Sequence, residues 1–459
     1  MTVRQNPYEL SPDKVQEPPT SPFGMLRYLG PGFILSASIV GSGELIATTI
    51  LGAKAGFITF WVILVSCLVK VTLQLEFGKH AIHSGESTFA SFNRLPGPKF
   101  RGASWSTWTW LILMSLKFLQ VGGIVGGVAI IMNMIAPGSV AVWALIIAPV
   151  VSLLVFRGYY VLIEKLSLVM IGLFTILTIV SVVSLQSTEF AVSWSQIAEG
   201  LTFHLPNESA LILIAIGAFG ITGVGGDEIM TYNYWLLEKG YAAKTGPRDD
   251  SEAWLRRAKG WTRVMYADAI LSMVVYTIVT AAFYILGAAV LHAQGLVPEK
   301  SQLVETLALM YTDTLGPWAR NVFLLGAAVV LFSTLFAALA GWTRLYSDCF
   351  AHIGVFDFHD DQKRRWWIAV LAWIIPAAWA LLFIFFKMWF GGDPGIMVLV
   401  GGMVTSVILL VVVFAAFHFR YRRLPESLNP SRFYDFCLWA SGLVISATAI
   451  YGVLMLFAK

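Results

Sequence analysis

Two short stretches of the chain place glycines and carboxylates inside segments that are otherwise apolar. The first, residues 41–44, lies within "VGSGELIATT", and the second, residues 225–228, lies within "VGGDEIMTYN". Glycine costs a helix about 1 kcal/mol relative to alanine, and a charged side chain at the centre of a bilayer costs at least about 2.5–3.5 kcal/mol. Residues this costly in an apolar segment indicate a functional site.

The chemistry of such stretches is that of a cation site. A helix interrupted in lipid leaves backbone groups that must line a cavity or bind something, and the carbonyls that end a half-helix are electronegative. Glu44, Asp227 and Glu228 add carboxylates, which gives an oxygen-only set of ligands that suits Mg²⁺, Ca²⁺ or Mn²⁺. We predict that Glu44 and Asp227 contact the ion, and that Glu228, about 100° round the helix from Asp227, tunes the field.

A carboxylate within the membrane can instead pair with a basic side chain. Lys117 and Lys70 are the two candidates. Either could balance an empty site, and either could extend its ammonium to the membrane surface, which suits Lys70 better. Gln120 lies one turn beyond Lys117 on the same helical face.

Asp268 and Thr48 complete the set of residues expected to line the cavity or to take part in coupling. Asp268 lies near the start of an apolar span, where it could cap a helix or line the inner vestibule. Thr48 follows the first glycine-rich stretch.

The composition places these residues in a helical membrane protein. Of the 459 residues, 57% are hydrophobic and 13% are charged, against about 25% charged in soluble domains. Apolar runs of about 20 residues are typical of membrane-spanning helices and not of barrels. The net charge of +4 does not indicate binding to nucleic acid. We therefore expect an all-α integral membrane protein surrounded by lipid.

Apolar length predicts eleven spans, of which the first and the sixth contain the two glycine-rich stretches. The predicted spans are 30–55, 57–82, 107–134, 138–156, 160–185, 208–238, 264–291, 317–345, 366–387, 394–418 and 434–457. Lys and Arg concentrate in alternate loops, from Lys99 and Arg101 to Arg420, Arg422 and Arg423. This asymmetry predicts a multi-pass protein of the plasma or inner membrane with a cytoplasmic N terminus and an external C terminus.

The offset of five spans between the two interrupted helices predicts an inverted repeat, because an odd offset reverses the orientation in the membrane. The expected organisation is a disordered cytoplasmic tail (1–28), a first repeat of helices 1–5 (29–185) and an external loop (186–207). A second repeat of helices 6–10 (208–418) and a segment with a cytoplasmic loop and helix 11 (419–459) follow.

Residues 30–74, "GPGFILSASIVGSGELIATTILGAKAGFITFWVILVSCLVKVTLQ", resemble the first two helices of the NRAMP (natural resistance-associated macrophage protein) transporters. Residues 215–235 are similar to the sixth helix of that family, and the resemblance extends weakly over about residues 28–420. It implies a leucine-transporter-like fold of eleven or twelve helices, with 5+5 inverted repeats, and secondary transport of divalent metals.

The resemblance also assigns ligands. Gly41 stands where the family has a metal-binding Asp, Ser42 at its Pro and Glu44 at its metal-binding Asn. Asp227 stands at the metal-binding Met, and Val224 takes the place of the preceding carbonyl ligand. The loss of the thioether favours harder ions such as Mg²⁺, and Gly41 in place of Asp is expected to leave room for a partly hydrated ion.

In the third helix, the family has an Asp and a Glu linked to proton movement, and these positions here are Lys117 and Gln120. Proton coupling of the family type is therefore not expected. The sequence resembles the NRAMP-related branch that includes magnesium transporters.

These observations support a transporter of hard divalent cations, Mg²⁺ first and Mn²⁺ second, that works by alternating access. The alternative in the same class is a transporter of a small organic solute, an amine or an amino acid. A receptor or scaffold on a transporter fold would instead hold a tight Glu44–Lys117 bridge. An enzyme is least favoured, because there is no nucleophile–base constellation. No cofactor besides the transported cation and no obligate protein partner is predicted.

Overall fold

The computed structural model describes residues 6–41, 43–156 and 160–457. Ser42, which stands at the family's Pro, lies outside the described residues. Within them the chain is almost entirely helical, and the strands β1 (Lys99–Phe100) and β2 (Ala103–Ser104) form one short antiparallel hairpin.

The helices follow one another through connections that are mostly short. They are α1 (Pro22–Leu26), α2 (Pro31–Ile39), α3 (Thr49–Ala55), α4 (Phe60–Ser84), α5 (Thr88–Phe92), α6 (Trp105–Ile135), α7 (Val140–Phe156), α8 (Tyr160–Ser184), α9 (Trp194–Glu199), α10 (Ser209–Ile221), α11 (Gly226–Glu238), α12 (Tyr241–Thr245), α13 (Glu252–Leu286), α14 (Leu303–Leu315), α15 (Ala319–His352), α16 (Asp361–Phe390), α17 (Pro394–His418) and α18 (Arg432–Phe457). The stretches Gly43–Thr48, Gly287–Leu291 and Phe419–Arg423 are π-helical.

The predicted spans coincide with these helices. In the part of the chain that the structure describes, eight helical segments are long and apolar enough to cross a membrane, and they match predicted spans two, three and six to eleven. Helix α7 is shorter, with 17 residues, and matches span four, and α8 matches span five. The first span is divided between α2 and α3. Helix α9 lies in the connection between predicted spans five and six, and α14 lies in the connection between spans seven and eight.

Both predicted helix breaks are present, and the second falls slightly earlier than expected. The first separates the end of α2 at Ile39 from the π-helical stretch that leads into α3. The second covers residues 222–225, where Gly223 adopts a φ of +64° that favours glycine. Asp227 and Glu228 therefore lie in the first turn of α11 and not in the break itself.

The start of α2 is fixed by Asp268 of α13. The Asp268 carboxylate accepts hydrogen bonds from the backbone N–H of Gly30 over 2.8 Å and of Gly32 over 2.5 Å, and from the Tyr232 hydroxyl over 3.2 Å. Its side chain is fully buried. These are the contacts of a helix-capping residue, one of the two roles that the sequence leaves open, and they join α2 to α13 and α11.

Glycines allow the helices around the second break to pack closely. A Cβ atom on Gly220 of α10 would overlap the carbonyl of Gly402 in α17. In α6, a Cβ on Gly123 would lie 2.8 Å from the Pro394 carbonyl oxygen, and one on Gly126 would overlap the ring of Phe383. These glycines of α6 therefore form a helix-packing surface.

Residues 6–28 pack against the helices, although their composition predicts disorder. The Tyr8 hydroxyl donates to Glu238 over 2.8 Å, the backbone N–H of Gln16 donates to the Lys244 carbonyl over 2.9 Å, and the Trp261 indole N–H donates to the Gln16 carbonyl over 3.0 Å. A proline-rich segment with little helix of its own is ordered here by docking onto several helices, which composition does not reveal.

Replacing Glu238 by Gln tests how this segment is held. The Glu238 carboxylate also accepts two hydrogen bonds from Arg344, over 2.6 and 2.9 Å. Glu238→Gln removes the charge that binds both partners and is expected to cost about 1–3 kcal/mol. Thermal unfolding of the purified protein, together with the rate of proteolysis within residues 6–28, measures the effect. Glu17→Gln, which affects an exposed pair with Arg256, is the control and should change little; equal effects of the two variants would contradict this role.

Candidate functional site

A cavity lies beside the two helix breaks, between α2, α6, α11 and α15. The space that a water-sized sphere can enter is about 40 Å³, enough for only a few water molecules. Its polar and aromatic lining residues are Ser38, Lys117, Gln120, Asp227, Glu228, Thr231, Trp235, Thr334 and Trp342. Among the described residues that line it there is no Met, Cys or His, so the metal-binding atoms that it offers are oxygens.

Asp227 is the most strongly engaged carboxylate of the cavity. Its Oδ1 forms an ion pair with the ammonium of Lys117, and its Oδ2 accepts a hydrogen bond from the Trp342 indole N–H over 2.9 Å. Both members of the ion pair are buried. Lys117 thus pairs with Asp227 and not with Glu44, which was the bridge expected of a receptor or scaffold.

Glu228 faces the same cavity and bridges the two broken helices. Its Oε1 accepts from the Ser38 hydroxyl of α2 over 2.8 Å, and its Oε2 accepts from the Gly225 backbone N–H over 2.7 Å. Because Glu228 lies in the first turn of α11, the positive end of the helix dipole also stabilises its carboxylate. Asp227 and Glu228 are adjacent in the chain, and both line the cavity from the first turn of α11.

Glu44 lies behind the breaks and not in the lining of the cavity. Its Oε1 accepts from the Gly223 backbone N–H over 3.3 Å and from the Thr280 hydroxyl over 3.1 Å. Its Oε2 is buried and has no hydrogen-bond partner within the described residues. Thr48 is fully buried and donates its hydroxyl proton to the Glu44 carbonyl. The structure therefore separates Glu44 from Asp227, which the sequence predicts as joint ligands.

Gly41 and Val224, the predicted carbonyl ligands, are not among the residues that line the cavity. The Gly41 carbonyl accepts a hydrogen bond from the Leu45 N–H over 2.8 Å. The space expected beside Gly41 is filled, because a Cβ atom there would overlap the hydroxyl of Thr334. The expectation that glycine at this position leaves room for a hydrated ion is therefore wrong, since a neighbouring helix occupies that volume.

Lys70 is fully buried at the end of α10. It therefore does not extend to a membrane surface, which is the role that the sequence favours of the two that it leaves open. Its ammonium donates to the carbonyl oxygens of Phe219, Gly220 and Thr222. The carbonyls that the break of the sixth span frees are thus taken by a side chain of α4.

The remaining candidates divide between the cavity and the scaffold. Gln120 lines the cavity on the same face of α6 as Lys117, as the spacing predicts, and accepts a hydrogen bond from the Thr405 hydroxyl over 3.5 Å. Asp268, which caps α2, is not among the lining residues. Within the described ranges, no group of three or more His, Cys, Asp or Glu side chains is arranged to hold a metal ion.

Sequence reasoning missed Ser38, Thr334 and Trp342, which hold the helix breaks and the carboxylates. Ser38 binds Glu228, Thr334 packs on Gly41 and donates to the Ser38 carbonyl over 3.3 Å, and Trp342 binds Asp227. Single hydroxyls and one indole within apolar helices carry no signal, because the same residue types are common in lipid-facing and packed positions.

A multi-pass helical protein in which two discontinuous helices meet beside a charged cavity has the architecture of secondary transporters with a leucine-transporter-like fold. Solved structures confirm this fold. A mutant of the manganese transporter of Eremococcus coleocola superimposes with a TM-score of 0.63 at 16% identity, over 98% of this chain and 93% of that chain. MhsT in complex with L-phenylalanine superimposes with a TM-score of 0.57 at 16% identity, over 96% of this chain and 99% of that chain. The predicted broken helices and inverted repeat are those of this fold.

The chain belongs to the Nramp family, because the family model described as natural resistance-associated macrophage protein-like matches residues 32–455. The proteins of this family are transporters and not enzymes, as the sequence predicts. The resemblance noted in the first two and the sixth helices is thereby confirmed.

Two relatives are named divalent metal cation transporter MntH. The one from Xylella fastidiosa is 26% identical over 331 residues, which are 69% of this chain and 61% of that protein. The one from Xanthomonas campestris is 27% identical over 330 residues, which are 70% of this chain and 68% of that protein. The match thus spans less than two thirds of the length of the Xylella relative.

The ion pair of the cavity can be tested by a double-mutant cycle. Lys117→Met or Asp227→Asn alone leaves a buried group without its charged partner and is expected to destabilise the protein by about 3–5 kcal/mol. The double variant should lose clearly less than the sum of the two, because neither side chain then remains charged and unpaired. Unfolding of the purified protein in detergent measures the four states, and strictly additive losses would show that the two groups do not interact.

Proposed function

We propose that this protein transports a hard divalent cation, Mg²⁺ or Mn²⁺, through the cavity beside the two helix breaks by alternating access. The observation that carries the proposal is the pair of adjacent carboxylates, Asp227 and Glu228, which reach one small cavity from the first turn of α11. Membership of the Nramp family and the names of the MntH relatives support the class of substrate.

The donor atoms support a hard ion. Carboxylate and hydroxyl oxygens suit Mg²⁺ and Mn²⁺, whereas thioether and thiolate sulfur select softer metals. The cavity offers Asp227, Glu228 and the hydroxyls of Ser38 and Thr334, and its described lining contains no sulfur atom. Mg²⁺ is normally held by one or two carboxylates and retains several waters, which agrees with two carboxylates and space for only a few waters.

The size of the cavity argues against a small organic solute in this conformation. About 40 Å³ of accessible space admits water molecules or an ion with part of its hydration shell. An amino acid or an amine would require the surrounding helices to separate first. Pockets for drug-sized organic ligands are about 300–1,000 Å³ and mostly apolar.

Lys117 has to release Asp227 before a divalent cation can bind there. Its ammonium holds the Oδ1 atom that the ion would use. Breaking a buried ion pair is costly unless another charge replaces the lost partner, and an incoming divalent cation supplies that charge. Lys117 thus acts as a tethered competitor that neutralises Asp227 until the ion arrives.

Three predicted ligands lie outside the lining of the cavity, namely Glu44, Gly41 and Val224. They remain part of the proposed pathway, but not as ligands in this conformation. The Oε2 atom of Glu44, which has no hydrogen-bond partner in the part of the chain that the structure describes, provides a carboxylate oxygen next to the breaks when α2 and α11 move during transport. Gly41 allows Thr334 to approach the first break closely, and Val224 is fully buried in the second. The alternate loops rich in Lys and Arg support a plasma-membrane location with a cytoplasmic N terminus and an external C terminus.

Isothermal titration of the purified protein with Mg²⁺ and with Mn²⁺ tests the ligands. Asp227→Asn and Glu228→Gln are each expected to weaken binding at least about tenfold, which corresponds to about 1.4 kcal/mol, because each removes a charged ligand. Glu44→Gln should weaken binding less, since its carboxylate lies outside the cavity.

Asp268→Asn, which affects the α2 cap and not the cavity, is the matched control for a general loss of folding. Unchanged affinity in both Asp227→Asn and Glu228→Gln, or no binding by the wild type, would overturn the ligand assignment. Uptake of an amine or an amino acid without any metal uptake would instead favour the organic solute.

Proteoliposomes test the proposed absence of proton coupling of the family type. With Lys117 and Gln120 at the positions that the family uses for proton movement, uptake of Mn²⁺ down its gradient is expected without acidification of the lumen. A pH-sensitive dye inside the vesicles and a metal-sensitive dye in a parallel set measure the two fluxes, with a proton ionophore as the positive control. Luminal acidification that depends on the metal would show that another route couples protons.

A further inference from the structure

The end of α10 carries a second buried cation, separate from the Lys117–Asp227 pair. The ammonium of Lys70 donates hydrogen bonds to the backbone carbonyls of Phe219, Gly220 and Thr222. The bonds to Gly220 and Thr222 are 3.1 and 2.8 Å long. The side chain is fully buried. An ammonium has three protons to donate, and all three have an acceptor here.

The Ser66 hydroxyl contacts two of the same carbonyls. The Ser66 hydroxyl, one turn before Lys70 on α4, lies 2.8 Å from the Phe219 carbonyl and 2.9 Å from the Thr222 carbonyl. The Thr222 hydroxyl donates to Ser66 Oγ over 2.9 Å. Backbone carbonyl oxygens that converge on one charge are ligands that proteins use for cations such as Na⁺ and K⁺. The Ser66 hydroxyl donates to two of these carbonyls and so helps to hold them in position.

The electrostatics of the break explain why a positive charge is needed at this position. The last carbonyls of α10 have no partners in their own helix and form the negative end of its dipole. Unsatisfied carbonyls inside the membrane cost several kcal/mol each. Water cannot easily donate the missing hydrogen bonds to these carbonyls, because Lys70, Phe219 and Thr222 are buried.

We propose that the Lys70 ammonium fills a monovalent-cation site formed by the backbone carbonyls at the end of α10, which the Ser66 hydroxyl helps to hold in position. The chain thus supplies from its own side chain the cation that this end of the broken helix would otherwise take from solution. If Lys70 is shortened, the site becomes one for a free monovalent cation of similar size, such as methylammonium, ammonium or Na⁺. In the wild type, the Lys70 ammonium occupies this position, so we expect no free ion to bind there.

The inference deepens the proposed function, because it means that the carbonyls at the end of α10 do not bind a monovalent coupling ion during the transport cycle. Glu44 lies on the other side of the same peptide link, since its Oε1 accepts from the Gly223 N–H while Lys70 binds the Thr222 carbonyl. A fixed positive charge there holds α10 and the break in place while the ion binds in the cavity.

Two variants of Lys70 separate a cation site from ordinary packing. Lys70→Ala removes the charge and opens space, whereas Lys70→Met removes the charge but fills the space with an apolar chain of similar length. Both are purified and melted in detergent with methylammonium, ammonium, Na⁺ or K⁺ chloride, against choline chloride at equal ionic strength, because choline is too large for the site.

In Lys70→Ala, at least one small cation is expected to raise the melting temperature by about 2 °C or more over choline. Lys70→Met and the wild type should not respond beyond the general effect of salt. If Lys70→Ala can be purified only when methylammonium is present, the proposal is equally supported.

The proposal fails if Lys70→Ala responds to the small cations no more than Lys70→Met, or if no cation allows its purification. It also fails if Lys70→Ala is as stable as the wild type in choline. These readouts need no transported metal. A failure here leaves the titrations with Mg²⁺ and Mn²⁺ unaffected, and a wild type that binds no divalent cation would leave the response of Lys70→Ala interpretable.

Discussion

The constraint on which the structure depends is the need to satisfy backbone groups that two interrupted helices expose inside an apolar environment. Side chains bind several of these groups. Asp268 accepts the N–H groups at the start of α2, Lys70 occupies the carbonyls at the end of α10, and Glu44 and Glu228 accept N–H groups in and beside the second break. These four charged residues therefore bind backbone groups as well as any ligand.

Asp227 differs from these residues, because its partners are side chains. Its carboxylate is held by the Lys117 ammonium and the Trp342 indole, both of which can move by rotamer changes without unfolding a helix. A carboxylate whose neutralising charge is tethered by a flexible chain can exchange that charge for a metal ion at modest cost. Glu228, Glu44 and Asp268 differ in that each also accepts a hydrogen bond from a backbone N–H. Asp227 is therefore the carboxylate of the site that can exchange a neutralising side chain for a metal ion.

The sequence predicted the eleven spans and both helix breaks, because these depend on local composition and length. It also predicted that Lys117 and Gln120 share a face, because helical spacing determines this. It did not predict the ordering of residues 6–28, the burial of Lys70 or the filling of the space beside Gly41 by Thr334. Each of these depends on a contact with a distant helix, and no local pattern records it.

The sequence by itself determined that the chain is a polytopic helical membrane protein and that carboxylates lie at two related breaks. Glycine and charge are costly in an apolar helix wherever it packs, so their presence is informative without a structure. Only the tertiary structure decided how the charges are paired: Lys117 with Asp227, 110 residues away, and Lys70 with carbonyls about 150 residues away. Electrostatic and hydrogen-bond energies depend on distances of a few ångströms between such groups, and packing of the helices alone sets those distances.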